Sequence, residues 1–535
     1  MKSIKKFLAV ILSMTLMLTL GTAAFGAQKT LPSGKDTGSI NVTNLKPGDT
    51  VTAYQFVKAD YNEYGFTGYS AINNYVKDPV APTAQEVIDM ASNAATMTVA
   101  AEKKVATGDT EVTLNGLPVG YYLVMVTSGS ETVYSPMIAG IYYSKSATDN
   151  TLKNGAISAD SDFEIKAQKC WAKSSTPKLE KTIITPSSKN SKGDDIAIGD
   201  KITFKLSATV PSYSKEYKKV TYKIYDIMSE GLDYVDGSMK CFIEKYENNR
   251  ENIKVTPKVN GGIIEITFDS KFILEHPGQK IQVEYQAKLN EKAGVNFDAN
   301  INKAYLEYSN NPASGSTAKT DEDKVYVYTF GIDSNLFGKS TEKWNEKTKE
   351  LIKVEEGEYQ WVETEKESGI FTTTTALEGA TFTLTNNKTK KSYTATSDKY
   401  GYLKFTGLDA GEYTLQETDA PDGFTLNDAK HTVVIKAEYN QDGTLKSYTI
   451  KIDDKATSTY TATYDKGVIK TITSTKDSQG NISESAILKN SKMSFLPSTG
   501  GVGTTIFAIV GVVFVAAALG LHMILRGKSK LEQDR

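Results

Sequence analysis

Three ionisable side chains and one amide sit on strand faces whose other positions are apolar. In the run Pro177 to Ile183, Leu179, Lys181 and Ile183 share one face. Val220, Tyr222, Ile224 and Asp226 share another, Asn302 aligns with Ala304 and Leu306, and Glu417 aligns with Tyr413 and Leu415. If these faces line a core, the polar groups on them are costly unless neutral or paired. Burial lowers a lysine pKa and leaves a neutral amine nucleophile. It raises a carboxyl pKa and leaves an acid able to polarise an amide carbonyl. Held in contact, such groups react in a unimolecular step rather than by encounter. The plainer alternative is ordinary polar residues near strand ends, with Glu417 on an edge strand in water.

The elements that must position them are strands. Ser39 to Val42, Thr113 to Val126, Lys201 to Ala208, Val220 to Asp226, Gly262 to Phe268 and Ile281 to Leu289 are short β-rich segments separated by Gly, Asn and Asp turns. That spacing predicts an all-β chain of sandwiches. One helix is predicted over Ala84 to Ala95, after Pro82-Thr83. The chain has 535 residues, 30 Tyr and 40 Gly, and composition divides it into blocks 31–173, 174–327 and 328–495. An internal repeat, Gly116-Leu-Pro-Val-Gly-Tyr-Tyr and Gly407-Leu-Asp-Ala-Gly-Glu-Tyr, argues for related tandem domains.

Composition also excludes. Three scattered His (276, 431 and 522) and two Cys give no metal or cofactor site and no disulfide-dense scaffold. A net charge of −2 without a basic stripe argues against nucleic acid. Cys170 and Cys241 could pair or stay as separate buried thiols; pairing needs their Cα atoms within about 7 Å.

The two ends fix the compartment. Residues 1–26 have the parts of a secretory signal peptide: Lys2, Lys5 and Lys6, the apolar run Phe7 to Leu20, then Ala24-Phe25-Gly26. Near the other end, Gly500 to Leu525 carries no charge and is long enough to cross a bilayer as a helix, with 504–525 as the transmembrane helix proper. Arg526, Lys528, Lys530 and Arg535 make 526–535 a basic cytoplasmic tail.

Immediately before that span stands Leu496-Pro497-Ser498-Thr499-Gly500. Motif, apolar helix and basic tail in this order resemble the cell-wall sorting signal of Gram-positive surface proteins. The run Tyr413-Thr-Leu-Gln-Glu417-Thr-Asp-Ala-Pro-Asp-Gly-Phe424 closely resembles the E-box of Gram-positive pilins. Together they make the chain similar to sortase-assembled major (backbone) pilin subunits, over essentially its whole length. That resemblance implies three tandem Ig-like (CnaB-type) β-sandwich domains and a structural protein rather than a turnover enzyme. It implies sortase cleavage between Thr499 and Gly500 and location in the cell wall or a surface pilus that supports adhesion. The implied partners are a class C-type pilus sortase, a housekeeping sortase, identical subunits head to tail, minor pilins, peptidoglycan and a host receptor. The alternative is a minor or basal pilin, or a monomeric wall-anchored adhesin.

The resemblance further implies spontaneous Lys–Asn isopeptide bonds inside the domains. On this pattern Lys181 and Asn302 form the middle pair with Asp226 as catalyst, within the pilin-like run Ile224 to Leu232. In the third block Glu417 catalyses a bond to Asn490. Its lysine is Lys339, with Lys343 and Lys353 open because a charged insertion, about 340–372, alters the family spacing. The repeat puts Val126 where the third block has Glu417, so no such bond is expected in the first block. Family pilins polymerise through a lysine at the first domain junction, after a tyrosine and a proline. Here Lys169-Cys170-Trp171-Ala172-Lys173 occupies that place. Lys173 becomes the intermolecular acceptor, with Lys169 the second choice because the proline is missing.

Overall fold

The computed structural model describes residues 31–489 except 129–130, 145–162, 185–189, 247–248, 333–336, 341–348, 356–357, 365–370, 376, 400, 454–455 and 476–485. The expected signal peptide, the sorting motif Leu496 to Gly500 and the transmembrane helix lie outside the described residues. Among those described, no helix is long and apolar enough to cross a membrane. The fold is almost entirely β, and its buried apolar residues gather into three cores.

In the first block, Thr37–Thr43 lies between Glu111–Pro118 and Lys169–Trp171, the latter in parallel. A second sheet is built on Thr50–Asn62, Gly120–Thr127 and Met137–Ser144. The expected segment Thr113 to Val126 is therefore two strands in different sheets. The break falls at Gly120, with φ +153°, where an added Cβ would meet the Val57 carbonyl oxygen at 2.2 Å. The helix runs Ala84–Ser92 and opens with the Thr83–Glu86 capping box. It stops earlier than expected because Asn93 leaves helical geometry, and Ala94–Thr96 forms a 3₁₀ turn.

The two copies of the repeat fold alike. Gly116 and Gly407 take φ of 70° and 77°, values that favour glycine. Six residues on, the Tyr122 and Tyr413 hydroxyls each donate to the carbonyl four residues back, Pro118 at 2.5 Å and Asp409 at 2.8 Å. A shared turn thus ends in a shared tyrosine tie.

The middle block is a two-sheet sandwich. One sheet contains Leu179–Ile184, Lys201–Thr209, Lys280–Leu289 and Lys240–Tyr246; the facing sheet contains Asp323–Tyr328, Asn300–Asn311, Tyr222–Met228 and Ile263–Thr267. The strand Asp323–Tyr328 serves two cores: Val325 and Val327 pack into the middle one, Tyr326 and Tyr328 into the third. The compositional boundary at 327/328 falls inside that strand. In the third block a seven-stranded sheet carries Gly411–Asp419. The charged insertion contains a three-stranded antiparallel sheet, Lys349–Glu355, Glu358–Thr364 and Phe371–Thr375.

Cys170 packs into the first core and Cys241 into the middle one, and both are free thiols. Burial pushes each up to about 12, so neither is a thiolate at neutral pH.

Candidate functional site

The facing sheets of the middle block bring Lys181, Asp226 and Asn302 together. Lys181 lies on a strand registered against Lys201–Thr209, opposite Leu206. Asp226 and Asn302 lie on adjacent strands of the other sheet, where Asp226 pairs with Ala304 and Met228 with Asn302. All three are 0% exposed. The Lys181 ammonium group contacts Asp226 Oδ2 directly. The backbone of Lys181 is fixed as well: its N–H donates to Asp323 Oδ2 at 2.7 Å, and Lys192 Nζ donates to its carbonyl at 2.6 Å.

Burial sets the protonation states. Desolvation pulls the Lys181 pKa down, opposed by the Asp226 charge, and the same burial pushes the Asp226 pKa up, opposed by Lys181. Both shifts favour passing the proton from amine to carboxyl. That transfer would leave an uncharged amine and a protonated acid beside an amide. Such a group of three can form a new amide and release ammonia.

A fourth polar group in this cluster was not anticipated from the sequence. Tyr285 is 1% exposed, and its hydroxyl lies 3.1 Å from Lys181 Nζ and 2.7 Å from Asn302 Nδ2. Its strand presents Ile281, Val283, Tyr285, Ala287 and Leu289 to the core. A single polar-tipped residue in that aliphatic row was the available signal.

In the third block Glu417 is buried with Tyr413 and Leu415, and its Oε2 accepts the Asn427 N–H at 2.7 Å. Its strand opposes Phe382. Lys339 lies on Phe337–Ser340, parallel to Ala486–Lys489 and opposite Leu488. The side chain of Lys339, all of Lys343 and all of Asn490 fall outside the described residues. Lys353 pairs with Tyr359 in the insertion sheet, a different sheet from that of Ala486–Lys489. Val126 is buried in the first core, at the repeat position of Glu417.

At the first junction, alternation separates two sets of side chains. Cys170 and Ala172 point into the core, while Lys169, Trp171 and Lys173 are exposed, Trp171 by 67%. The junction backbone is tied down by Ala172 N–H to the Thr43 carbonyl, Asn44 Nδ2 to the Ala172 carbonyl and Ser135 N–H to the Lys173 carbonyl, at 2.7 to 3.0 Å. The Lys173 side chain is exposed, and among the described residues no hydrogen bond or ion pair holds it, while its backbone is anchored.

At the second junction, Asp195 of the middle block accepts hydrogen bonds from Ala410 N–H at 2.5 Å and Tyr439 hydroxyl at 2.6 Å. Desolvation raises its pKa from 3.8 to about 6. A carboxyl whose folded pKa is raised binds protons more readily in the native state, so its contribution is largest at low pH. That contribution is lost as pH rises from about 4 through 6. The melting temperature of the native chain minus that of Asp195→Asn should therefore increase between pH 7.5 and pH 5; a constant or falling difference by calorimetry would exclude this role.

Comparison with known proteins agrees with this organisation. Residues 35–174 match the T6 antigen Ig like domain, 371–449 the prealbumin-like fold domain of the SpaA type, and 489–530 the LPXTG cell wall anchor motif. The trypsin-resistant surface T6 protein of Streptococcus pyogenes serotype M6 is 26% identical over 549 aligned positions, covering 93% of this chain and 96% of the relative. The chain is a homologue of this T6 surface protein. A solved structure of the T6 backbone pilin of serotype M6 S. pyogenes, described as a modular three-domain structure decorated with variable loops and extensions, superposes with a TM-score of 0.58 at 21% identity. It covers 86% of this chain and 100% of that one, which establishes a common fold. The homologue is a cell-wall-anchored surface protein.

Proposed function

We propose that this homologue is the shaft subunit of a covalent pilus, and that it is a substrate of assembly rather than a turnover enzyme. Sortase cuts between Thr499 and Gly500, and the Thr499 carbonyl passes to the Lys173 amine of the next subunit. Inside each subunit, Lys181 Nζ attacks Asn302 Cγ with Asp226 as acid, ammonia departs, and the two sheets are tied together. The observation that carries this reading is the wholly buried cluster of amine, carboxyl and amide. An ion pair taken out of water has a desolvation cost that its own attraction often fails to offset. A covalent tie gives that cost a purpose in a fibre under tension.

The same reading extends to the third block, where Glu417 is the acid and Lys339 the amine for Asn490. The parallel pairing of Phe337–Ser340 with Ala486–Lys489 supports Lys339 over Lys353. The anchor holds the sorting motif close to a membrane-bound sortase, so cleavage proceeds at high effective concentration.

Fibres extracted from the wall and digested should yield a branched peptide, in which the C-terminal Thr499 carbonyl is joined to a junction lysine. If Thr499 is found only on peptidoglycan cross-bridges, the chain is a monomeric adhesin and the shaft reading fails.

A further inference from the structure

We propose that Tyr285 is a second catalytic residue of the middle crosslink, carrying a proton from the attacking lysine to the departing amide nitrogen. The proposal rests on the Lys181–Asn302 crosslink proposed above and adds to it a group with its own task.

The bookkeeping of the reaction shows why one carboxyl leaves part of the work undone. Starting from the neutral pair, Lys181 Nζ carries two hydrogens and Asn302 Nδ2 carries two. The Nζ–Cγ bond forms and the Cγ–Nδ2 bond breaks; the new amide keeps one hydrogen on Nζ, and ammonia leaves with three. One proton must therefore travel from Nζ to Nδ2. Asp226 is placed for a different job. Its Oδ2 meets the lysine, while its Oδ1 and the Asn302 Oδ1 are both buried without a hydrogen-bond partner among the described residues. In this proposal a protonated Asp226 donates to the amide oxygen, which draws charge from Cγ as the amine attacks.

The amide nitrogen has its hydrogen bond elsewhere, to the Tyr285 hydroxyl at 2.7 Å, and the same oxygen is 3.1 Å from Lys181 Nζ. Tyr285 thus touches both nitrogens between which the proton must pass. In the resting arrangement Nζ and Nδ2 both donate to this oxygen, and the hydroxyl also bonds Asp226. As Nδ2 becomes pyramidal on attack, it turns its lone pair to the hydroxyl. The oxygen then accepts a proton from Nζ as its own hydrogen moves to Nδ2, and the phenol ends as it began. Such a two-proton relay needs no net change in the tyrosine. Burial and the neighbouring Asp226 push the Tyr285 pKa well above its ordinary value, which keeps the hydroxyl protonated for this role. Its position is set by the sheet: Tyr285 pairs with Phe204, and the two rings, 5.5 Å apart, lie beneath the lysine amine.

The test follows the crosslink itself in residues 27–499, the chain as sorting would leave it. The protein is produced by pulsed cell-free synthesis, quenched at intervals and digested, and the peptide joining Lys181 to Asn302 is measured by mass. Tyr285→Phe removes the hydroxyl and keeps the ring. It should slow formation of that peptide by about 100-fold, the usual scale for one general acid–base group. It should also abolish a solvent deuterium isotope effect present in the native chain, which a packing role would not change. Equal rates and equal isotope effects in the two proteins would overturn the relay and leave the crosslink in place. A native chain that never forms the peptide would overturn the crosslink, and the relay with it. Should Tyr285→Phe fold poorly, 3-fluorotyrosine installed at position 285 keeps shape and hydroxyl while making the phenol more acidic. A changed rate then supports the relay, and an unchanged one rejects it.

Discussion

Asp226→Ala is expected to leave the middle block one ammonia heavier than the native chain and to cost it most of its stability. Two effects add. The first is loss of the proposed tie between Lys181 and Asn302, which would close a loop over most of the block. By analogy with a disulfide closing about 100 residues, that tie contributes about 4–5 kcal/mol through the unfolded chain. The second is Lys181 itself, fully buried and stripped of its carboxyl partner. Breaking one side of a buried pair costs about 3–5 kcal/mol. Whole domains are stable by about 5–15 kcal/mol, so the sum approaches the total.

Asn302→Ala separates the two effects. It also prevents the crosslink, because the amide carbon is gone, yet it leaves the lysine facing Asp226. Its melting temperature should fall by about 10–15 °C, given about 2–4 °C per kcal/mol for a block of this size, and Asp226→Ala should fall further. Intact mass and calorimetry on the same samples check the order. If both variants lose as many ammonia molecules as the native chain, or if Asn302→Ala melts as low as Asp226→Ala, the account of the buried trio is wrong.

Much of this geometry was legible in the sequence because strands alternate. Lys181 between Leu179 and Ile183, Asp226 after Tyr222 and Ile224, and Asn302 before Ala304 and Leu306 each announce a polar group on an apolar face. Alternation fixes a face but not a partner across the sandwich. Which side chains meet depends on two sheets about 10 Å apart, and no local pattern encodes that distance. Tyr285 escaped for this reason. Its ring reads as one more core aromatic among 30 tyrosines, and its hydroxyl meets Lys181 Nζ from two strands away in its own sheet and Asn302 Nδ2 from the opposing one. The strand Asp323–Tyr328 was similarly opaque. Its Val and Tyr positions are buried on both faces, so the sequence shows no polar side to mark where one domain ends. The insertion hid its sheet behind charge, since the strand Lys349–Glu355 has Lys or Glu at four of its seven positions.

Lys173→Arg should convert a ladder of covalent polymers in wall extracts into a single monomer band. Arginine preserves the positive charge and much of the length, but its guanidinium stays protonated and cannot resolve an acyl-enzyme as a nucleophile. Folding should be untouched, because the Lys173 side chain is exposed and its backbone carbonyl keeps the Ser135 N–H. Lys169→Arg is the necessary companion. Lys169, Trp171 and Lys173 stand in one exposed row, two residues apart, so an approaching sortase meets either amine beside the same indole. Their backbones differ. Lys169 lies within the strand, opposite Asn41, whereas Lys173 follows Ala172 at the point where the chain leaves the first core for the second. On the proposed linkage, Lys173 is the candidate nearer in sequence to the end of the block. The ladder should therefore survive Lys169→Arg. Loss in Lys169→Arg with survival in Lys173→Arg would move the acceptor one step back along the row, and survival in both would remove this junction from the fibre.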